Sequence, residues 1–508
     1  MSGRYVLVID IGTSAVRCLL FNEKGHPKAV CRRELSYQSN PDAGLMGREF
    51  IPDRLWHMVC DVTGTALNNA GVKVGEIAAV SATSQREGMV FLDSAGKELY
   101  AGPNIDLRAV TEGISIDHKY AREIHSITGH LPSLMFAPAK LTWFKNNRPE
   151  LYKSISTVLT ISDWVLYKLC GEVTSEVCSA TEIGLIDIRE RTWSTKLVEL
   201  LDLPRGIYPT LASAGSPIGK VTGQASDDTG IIEGTPVVEG APDTHCGLLG
   251  MGICEKAETG VVTGWSVPVQ MVTSEPVLDT EAKIWTGCYV FPGQWVLESN
   301  TGEAGNAFRW LKETVFDHNG MSSETSYDMI DKEVLEAPPG AQGTIASIGP
   351  GIMDMAHLGM DFGGVLFPLP LSVSGIRRGH LARAVLENIC FAVKANLLQV
   401  ESIADLKAST IFVGGNMTNS LSFRRILPDI LDRNIHFSDT YEVSALGNAM
   451  LAAAGSGIYT GINEAMAEMK SDMTVNEPDL LAAAEYTEYY QQWLNIVQKL
   501  QELRGVVN

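Results

Sequence analysis

The sequence has few basic residues for its length. Its 508 residues include 40 Lys and Arg against 60 Asp and Glu, which gives a formal net charge of -20 at pH 7. Phosphate backbones and anionic lipid headgroups repel a chain of this charge, so a general role on nucleic acid or on an anionic membrane is excluded. An anionic ligand would have to be bound through a metal ion and local hydrogen-bond donors.

Paired cysteines and long apolar runs are also missing. The nine cysteines form no C-x-x-C pair and no zinc-ligand spacing, and such a scattered, odd-numbered set is typical of reduced thiols in the cytosol. No stretch approaches the roughly 18–20 consecutive apolar residues that cross a bilayer. We therefore expect a cytoplasmic protein without a membrane or nucleic-acid partner.

Three common catalytic fingerprints are absent as well. The sequence contains no G-x-x-x-x-G-K-[ST], no H-E-x-x-H and no G-x-S-x-G. These absences exclude a Walker-type P-loop, the helical zinc-peptidase motif and the hydrolase nucleophile elbow. If the chain binds phosphate, a different backbone cradle must bind it.

What the chain does contain is enough apolar sequence for two cores. Hydrophobic residues make up 45% of it, and single cores stop growing at about 250–300 residues. The segment ETGVVTGWSVPVQMV (258–272) repeats the strand–glycine–hydroxyl–strand layout of VLVIDIGTSAVRCLLF (6–21). We therefore expect two mixed α/β domains, residues 1–245 and 246–508, each opening with a hairpin whose tip carries glycine and hydroxyl groups.

The tip of the first predicted hairpin carries Asp10, Gly12, Thr13 and Ser14. Glycine and aspartate favour turns, so an ordinary hairpin turn is one interpretation. The other is a phosphate cradle, in which backbone N–H groups of the turn face an anion and Asp10 faces the metal ion bound to it. The residues of this tip leave both interpretations open.

A second carboxylate, Asp243, follows a β-rich run in VVEGAPDTHCGLLGMG (237–252). The small residues after it predict the start of a helix. A strand end that faces a helix start would hold a catalytic base rigidly, but aspartate is also a common helix N-cap. Both alternatives stay open at this point.

Arg86 and Glu87 stand side by side directly after the apolar strand predicted at 77–83. Ligands of α/β proteins bind at the carboxyl ends of strands, and this pair offers five donors and a bidentate acceptor, which suits a polyhydroxylated ligand. The alternative is a solvated surface pair, although the flanking residues are small and apolar. Asp106 lies in a similar polar cluster, GPNIDLRAV (102–110).

In combination, these motifs resemble those of the FGGY carbohydrate kinase family, within the actin/hexokinase-like ATPase superfamily. The matching stretches run in order through most of the chain: D-I-G-T-S (10–14), S-Q-R-E-G (84–88), N-I-D-L-R (104–108), A-K-L-T-W-F (139–144), G-A-P-D-T (240–244), H-L-A-R-A-V-L-E (380–387), F-V-G-G-N (412–416) and E-V-S-A-L-G-N-A (442–449). The resemblance implies two actin/hexokinase-like (ribonuclease H-like) domains with a nucleotide and sugar cleft between them. Residues 1–245 would bind the sugar, and residues 246–508 would bind the adenosine.

The resemblance further implies an ATP- and Mg²⁺-dependent kinase that phosphorylates a primary hydroxyl of a small linear sugar or polyol. Autoinducer-2, a dihydroxypentanedione, ranks first as the acceptor, ahead of glycerol or erythritol and then a pentulose. Asp243 would be the catalytic base, and Asp10 and Asp243 would hold the metal. The substrate-binding residues would be Gln85, Arg86, Glu87, Asp106 and Asp243. The ATP-binding residues would be Gly12, Thr13, Ser14, Arg17, Thr263, Gly264, Gly414, Gly415 and Asn416.

Two positions depart from the pattern of this family. Trp265 lies in the second phosphate hairpin, where much of the family has G-T-G or G-T-S, and Asn104 stands where many members carry Trp. These departures support an alternative of a different class, a catalytically inactive nucleotide-gated sensor. Family members are often dimers, so the resemblance also allows a homodimer.

Overall fold

Near-continuous apolar runs form the central strands, and segments with apolar residues three and four apart form the helices. The structure is a computed structural model that describes residues 4–317, 323–357 and 362–503. None of the helices in these ranges is long and apolar enough to span a bilayer.

The α-helices of the described residues are α1 (Pro52–Ala70), α2 (Val110–Thr128), α3 (Ala137–Asn147), α4 (Pro149–Ser154), α5 (Ile161–Cys170), α6 (Val177–Thr181), α7 (Thr195–Leu200), α8 (Gly223–Thr229), α9 (Asp243–Gly250), α10 (Ala304–Leu311), α11 (Ser323–Glu336), α12 (Leu371–Ser374), α13 (Arg378–Ala404), α14 (Leu421–Leu431), α15 (Val443–Gly455), α16 (Ile462–Met469) and α17 (Leu480–Glu502).

The β-strands of the described residues are β1 (Tyr5–Ile11), β2 (Ala15–Asn22), β3 (Pro27–Glu34), β4 (Gln38–Ser39), β5 (Arg48–Glu49), β6 (Ile77–Ser84), β7 (Met89–Leu92), β8 (Glu98–Gly102), β9 (Thr157–Thr160), β10 (Thr174–Glu176), β11 (Ile186–Asp187), β12 (Thr192–Trp193), β13 (Thr210–Ala212), β14 (Pro217–Lys220), β15 (Pro236–Val238), β16 (Glu258–Thr263), β17 (Pro268–Thr273), β18 (Trp285–Cys288), β19 (Trp295–Asn300), β20 (Ile345–Ser347), β21 (Gly364–Leu366), β22 (Thr410–Gly415), β23 (Ile435–Ser438) and β24 (Met473–Asn476).

The contacts within the chain divide it into two units, each built from several segments. Unit 1 comprises Met1–Cys254, Ser274–Val296 and Val443–Ser471, and unit 2 comprises Glu255–Thr273, Leu297–Glu442 and Asp472–Asn508. Both units combine helices and sheets, as the sequence predicts. The predicted domain boundary between residues 245 and 246 stays a prediction.

Unit 1 contains a six-stranded sheet in the order β14-β15-β6-β1-β2-β3. β1 and β2 form the predicted antiparallel hairpin, and β6 pairs with β1 in parallel, as its apolar sequence predicts. β15 pairs in parallel with β6. The carboxyl ends of β1, β6 and β15 therefore lie at one edge of the sheet, directly before Gly12, Gln85 and Glu239.

Helix α9, which begins at Asp243, packs closely against α15 in the same unit. A Cβ atom on Gly447 would lie 1.8 Å from the carbonyl oxygen of Cys246, and one on Gly250 would lie 2.1 Å from that of Val443. Only glycine allows two backbones to approach this closely. This contact fixes the start of α9, and Asp243 with it.

In unit 2, five strands lie side by side in the order β17-β16-β22-β23-β24. β16 and β17 form the second predicted hairpin, which confirms that its layout repeats that of the first. β22 pairs in parallel with β16, so that Thr263 lies opposite Gly415 where the two strands end.

The long helix α13 is connected to the core of unit 2 by a buried polar network. Arg383 donates from Nε to Glu387 Oε1 at 2.8 Å and from Nη2 to the hydroxyl oxygen of Tyr486 at 2.5 Å. The Tyr486 hydroxyl donates to Glu387 Oε1 at 2.8 Å. Since the guanidinium and the phenol satisfy the carboxylate, its charge can be buried. The H-L-A-R-A-V-L-E motif (380–387) therefore has a packing role in this unit.

We expect Gly447→Ala to destabilise unit 1, because the added methyl group would overlap the Cys246 carbonyl oxygen. Overpacking of this kind lowers the free energy of unfolding by about 1–3 kcal/mol, which urea denaturation can measure. The matched control is Gly64→Ala within α1, where the nearest atom to the new methyl is 3.9 Å away. There the change should be neutral or stabilising by about 0.5–1 kcal/mol. Equal effects of the two substitutions would contradict the close packing of α9 and α15.

Candidate active site

Asp10 lies near the end of β1, directly opposite Arg17 of β2. Its side chain is buried, and Arg17 Nη2 donates to its Oδ2 atom. The other carboxylate oxygen, Oδ1, has no hydrogen-bond partner within the described residues. Because an unsatisfied buried oxygen costs about 1–3 kcal/mol, this geometry favours a ligand-binding tip over an ordinary turn.

The tip itself exposes its polar groups. Gly12 and Thr13 are partly buried, and Ser14 is exposed. The Gly12 N–H donates to the Ala15 carbonyl oxygen at 3.0 Å, which closes the turn.

Side-chain hydrogen bonds connect this tip to two neighbouring loops. Gln85 Nε2 donates to the Gly12 carbonyl oxygen at 3.2 Å, and Gln85 Oε1 accepts the backbone N–H of Asn104 at 3.0 Å. Asn104 Nδ2 donates to Thr13 Oγ1 at 3.2 Å. The Tyr37 hydroxyl donates to the Thr13 carbonyl oxygen. Gln85 and Asn104 therefore hold the tip in place from the side of the predicted sugar loop.

Arg86 and Glu87 occupy a strained loop directly after Gln85. Glu87 has φ of 55°, in the left-handed region that residues other than glycine rarely adopt. The side chains of Arg86 and Glu87 are 8% and 6% exposed, so the interpretation as a solvated surface pair is wrong. Arg86 Nε lies 4.0 Å from Glu87 Oε1, and the guanidinium lies 5.6 Å from the centre of the Trp285 ring. Strained loops with buried charges are typical of functional sites.

Asp243 is the first residue of α9, and Pro242 occupies the N-cap position. The N-cap interpretation of Asp243 is therefore wrong. Its Oδ1 atom accepts the backbone N–H of Thr244 at 2.8 Å. Thr83, at the end of β6, donates from Oγ1 to the Ala241 carbonyl oxygen at 2.7 Å and so holds the loop that leads to Asp243.

Burial raises the pKa of Asp243 to about 7. The positive charge of Arg86 lowers this pKa, whereas the negative charges of Asp10 and Glu87 raise it. The effect of burial is the largest of these. A carboxyl group that titrates near pH 7 can accept and return a proton under physiological conditions, as a general base must.

Asp106 is fully buried among protein donors. Its Oδ1 atom accepts the backbone N–H of Arg48 at 2.8 Å. Its Oδ2 atom accepts from the Tyr100 hydroxyl at 2.5 Å and from Arg108 Nε at 2.7 Å. These bonds make Asp106 a support for its own loop, and its contact with a sugar stays a prediction.

The predicted ATP-binding residues of unit 2 meet where β16 and β22 end. Thr263 Oγ1 donates to the Gly414 carbonyl oxygen at 2.8 Å and accepts the Met417 N–H at 3.1 Å. Gly415 has φ of 100°, and a Cβ atom there would lie 2.2 Å from the Thr263 carbonyl oxygen. Asn416 follows and is exposed. The close approach requires glycine at position 415.

The second hairpin tip closes in a similar way to the first. The Gly264 N–H donates to the Ser266 carbonyl oxygen at 3.0 Å. Trp265, the departure noted in the sequence, is partly buried, and its carbonyl oxygen accepts the Gly305 N–H at 3.0 Å. The tip therefore keeps its turn despite the large side chain.

The structure thus forms two groups of predicted site residues, one in each unit. The group in unit 1 is Asp10, Gly12, Thr13, Ser14, Arg17, Gln85, Arg86, Glu87, Asp106 and Asp243, and the group in unit 2 is Thr263, Gly264, Gly414, Gly415 and Asn416. Within the described ranges, no cluster of three or more His, Cys, Asp or Glu is placed to hold a metal ion.

Glu182 and Trp285, which the sequence motifs do not indicate, both lie beside Arg86. Glu182 Oε1 is 3.8 Å from Arg86 Nη1, and the Glu182 side chain is 4% exposed. One signal was available, because Glu182 is the single charged residue in the small and apolar stretch V-C-S-A-T-E-I-G-L (177–185). Lys140 is also fully buried here, and burial lowers its pKa to about 8 while the charges of Asp106 and Glu87 raise it.

Comparison with known sequences gives matches along most of the chain. The sequence profile of the "FGGY family of carbohydrate kinases, N-terminal domain" matches residues 5–250, and the profile of the C-terminal domain of that family matches residues 261–456. A protein named autoinducer-2 kinase from Escherichia coli O139:H28 is 28% identical over 507 residues, which cover 97% of this chain and 94% of that protein.

Solved structures resemble the fold over nearly the whole length. The xylulose kinase from Rhodospirillum rubrum has a TM-score of 0.83 at 24% identity, with 99% of this chain and 100% of that chain covered. The Plasmodium falciparum glycerol kinase with ADP has a TM-score of 0.83 at 19% identity, with 97% and 98% covered. At these identities the likeness establishes the shared fold.

We expect one aspartate carboxyl to titrate near pH 7 and to belong to Asp243. NMR of protein labelled with ¹³C at the aspartate carboxyl carbon measures this titration. The resonance whose midpoint lies near pH 7 should be absent from the spectrum of Asp243→Asn. Asp163, whose pKa burial raises to about 6, should give a second shifted resonance that Asp243→Asn leaves in place.

The neighbouring charges give the sign of further shifts in the Asp243 titration. Glu87→Gln removes a negative charge and should lower the pKa of Asp243, whereas Arg86→Gln removes a positive charge and should raise it. Glu98→Gln is the matched control, since Glu98 accepts from Trp164 Nε1 and Lys168 Nζ instead. An Asp243 midpoint near pH 4 would contradict the environment described here.

Proposed function

Because the chain belongs to the FGGY family of carbohydrate kinases, we propose that it transfers the γ-phosphate of ATP to a primary hydroxyl of a small linear sugar or polyol. The observation that carries this proposal is the position of Asp243, a carboxyl group with a pKa raised to about 7 at a helix start beside the buried Arg86 and Glu87. Proton removal and acceptor binding are thus assigned to neighbouring side chains.

Asp243 acts as the general base in this proposal. Its ionised carboxylate accepts the proton of the acceptor hydroxyl as that oxygen attacks the γ-phosphorus, and the proton then resides on Asp243. Burial keeps a fraction of this carboxyl protonated at neutral pH, while the positive charge of Arg86 favours the ionised form that is needed.

The acceptor hydroxyls bind Arg86 and Glu87. The guanidinium donates to hydroxyl oxygens, and the Glu87 carboxylate accepts from hydroxyl protons. The rigid, strained loop fixes the two side chains before the acceptor arrives, so less conformational entropy is lost on binding. Gln85 and Asp106 contribute by holding the tip and the neighbouring loop, as their hydrogen bonds indicate.

In each unit, residues of the hairpin tip are assigned to ATP binding. Backbone groups of Gly12, Thr13 and Ser14 line its phosphates in unit 1, and Arg17 contributes a positive charge. In unit 2, Thr263 and Gly264 line the phosphates, and the segment Gly414, Gly415 and Asn416 borders the adenosine. The net charge of -20 makes these local donors necessary.

The residues of the first tip fit a magnesium ion. Asp10 Oδ1 is a buried carboxylate oxygen without a hydrogen-bond partner in the described residues, and Mg²⁺ binds through one or two carboxylates together with phosphate oxygens and water. Asp10 would hold the ion, with Asp243 as a second carboxylate. When bound, Mg²⁺ neutralises charge on the phosphate oxygens.

Autoinducer-2 is the acceptor we rank first. The stretches S-A-T-S-Q-R-E-G-M-V (81–90), I-S-D-W (161–164) and G-L-I-D-I-R-E-R-T-W (184–193) resemble autoinducer-2 kinases, and the whole chain is 28% identical to one of them. The Gln85-Arg86-Glu87 triplet also resembles glycerol kinases, so glycerol and erythritol rank second. Pentuloses rank third.

We expect acceptor-dependent ADP release with Mg²⁺ and ATP, measured in a coupled assay. The acceptors are dihydroxypentanedione, glycerol, erythritol, D-xylulose, D-ribulose and L-ribulose. Loss of a general base lowers kcat by about 10²–10⁴-fold, so Asp243→Asn should lose turnover to this extent. The matched control is Asp202→Asn, the same chemical change at a side chain that is 91% exposed, and it should keep wild-type activity.

Two outcomes would contradict the proposal. If Asp243→Asn kept wild-type turnover, Asp243 would not be the base. If the wild type bound ATP tightly but released no ADP with any acceptor, the sensor alternative would replace the kinase.

A further inference from the structure

Arg86 lies between two carboxylates instead of beside one. Its Nε atom is 4.0 Å from Glu87 Oε1, and its Nη1 atom is 3.8 Å from Glu182 Oε1. The three side chains are 8%, 6% and 4% exposed. The guanidinium charge is therefore balanced by protein carboxylates on both of its edges before any acceptor binds.

A hydroxyl group of a ligand fits between Arg86 and Glu87, and another fits between Arg86 and Glu182. Both separations exceed the 2.7–3.2 Å range of direct N–H···O hydrogen bonds, while an oxygen about 2.8 Å from each atom can lie between them. Such an oxygen accepts from Arg86 and donates its proton to the carboxylate. Two adjacent hydroxyls of a sugar chain can occupy the Glu87 gap and the Glu182 gap together.

The position of Glu182 is fixed by its backbone and by the turn that follows. Its N–H donates to the Ser179 carbonyl oxygen at 3.1 Å, where α6 ends. Gly184 then adopts φ of 84°, and a Cβ atom there would lie 2.5 Å from the Cβ atom of Phe136. A carboxylate on such a rigid segment can distinguish between ligand groups, because it does not move away from an unfavourable one.

Two further cations near this site, Arg108 and Lys140, have hydrogen-bond partners of their own. Arg108 is paired with Asp106 at 2.7 Å. Lys140 donates from Nζ to the Met135 carbonyl oxygen at 2.5 Å, and its charge acts on Asp106 and Glu87. A ligand carboxylate or phosphate placed at Arg86 would meet Glu87 and Glu182, neither of which can donate a hydrogen bond when ionised.

We propose that Glu182 is a specificity-determining residue, which with Arg86 and Glu87 binds adjacent hydroxyls of an uncharged acceptor and rejects sugar acids and sugar phosphates. This inference rests on the proposed function and narrows its acceptor class. Sugar acids and sugar phosphates are rejected because their negative charge is repelled by the carboxylates of Glu87 and Glu182. Specific binding sites often combine such repulsion of the wrong ligand with attractive contacts to the right one. Trp285 supports the arrangement through a cation–π contact, with its ring centre 5.6 Å from the guanidinium.

The test compares acceptors that differ only at one terminal carbon, CH₂OH against COO⁻. The pairs are glycerol and D-glycerate, erythritol and D-erythronate, and D-glucitol and D-gluconate. Both kcat/KM and the calorimetric Kd are measured for the wild type, Glu182→Gln and the control Glu98→Gln, which removes a carboxylate of the same unit that contacts Trp164 and Lys168.

The wild type should prefer the alcohol of each pair by about 100-fold or more, as expected when a buried like charge opposes the ligand. Glu182→Gln should raise the ratio of kcat/KM for the acid to kcat/KM for the alcohol by about tenfold. The change should be in KM, and kcat should stay within about twofold of the wild type, since Glu182 does not touch the reacting atoms. Glu98→Gln should leave the ratio unchanged. A purely structural role of Glu182 would lower the unfolding temperature without moving this ratio.

Three results would overturn the inference: a wild type that prefers the acids, a Glu182→Gln ratio equal to that of the wild type, or no saturable binding of any alcohol. If alcohols bind but none is phosphorylated, the proposed kinase activity is wrong, but the role of Glu182 can still be tested. The ratio of Kd for the acid to Kd for the alcohol then decides it. If Glu182→Gln does not fold, Glu182→Asp takes its place. It keeps the charge, so the preference for alcohols should persist while Kd for the alcohols rises.

Discussion

The parallel pairing of β1, β6 and β15 is the constraint on which the site in unit 1 depends. The pairing sets Ile11 opposite Ser84 and Ser81 opposite Val238. Because parallel strands end at the same edge, the segments that follow them are brought together although they are far apart in the sequence. The hairpin tip, the strained Arg86-Glu87 loop and the start of α9 are these three segments. Their side chains then interact through space, and a slip in register would separate them.

Burial is the main cause of the chemistry that this edge can perform. It raises the pKa of Asp243 more than any single neighbouring charge does, and the charges of Arg86, Asp10 and Glu87 partly cancel one another. The balance leaves the carboxyl near neutrality, where a base is effective at physiological pH. The close contact of α9 with α15 at Gly447 is part of this balance, because it holds Asp243 in the buried position.

Much of this arrangement could be predicted from the sequence, because it follows from local patterns. Apolar runs that end in Asp10, in the Arg86-Glu87 pair and before Asp243 predicted the strands, and the resemblance to the FGGY family implied that their side chains belong to one site. Glu182 could not be predicted in this way, since it contacts Arg86 from 96 positions further along the sequence and no periodicity encodes that contact. The same holds for Asp106, whose donors come from Arg48, Tyr100 and Arg108. The sequence motif identified the Asp106 carboxylate, but it did not show that both of its oxygens accept hydrogen bonds from the protein.

The distribution of satisfied and unsatisfied oxygens distinguishes Asp106 from Asp10 and Asn104. Both oxygens of Asp106 accept from the protein, so folding alone satisfies this carboxylate. Asp10 Oδ1 and Asn104 Oδ1 have no hydrogen-bond partner within the described residues. Each such oxygen destabilises the protein by about 1–3 kcal/mol, and a bound ligand or ion would remove this cost.

Glu239 shows that an unsatisfied oxygen is not by itself sufficient evidence for a site. Its Oε1 atom also lacks a partner within the described residues, but burial and the neighbouring Asp163 raise its pKa well above the ordinary range. This shift favours the protonated form of the group, which attracts a cation less strongly than a carboxylate does. Asp10 differs because Arg17 Nη2 donates to its Oδ2 atom. A buried carboxyl group with one oxygen bonded to Arg17 and the other without a hydrogen-bond partner in the described residues, at a glycine-rich tip, is the combination that favours a bound metal ion and phosphate.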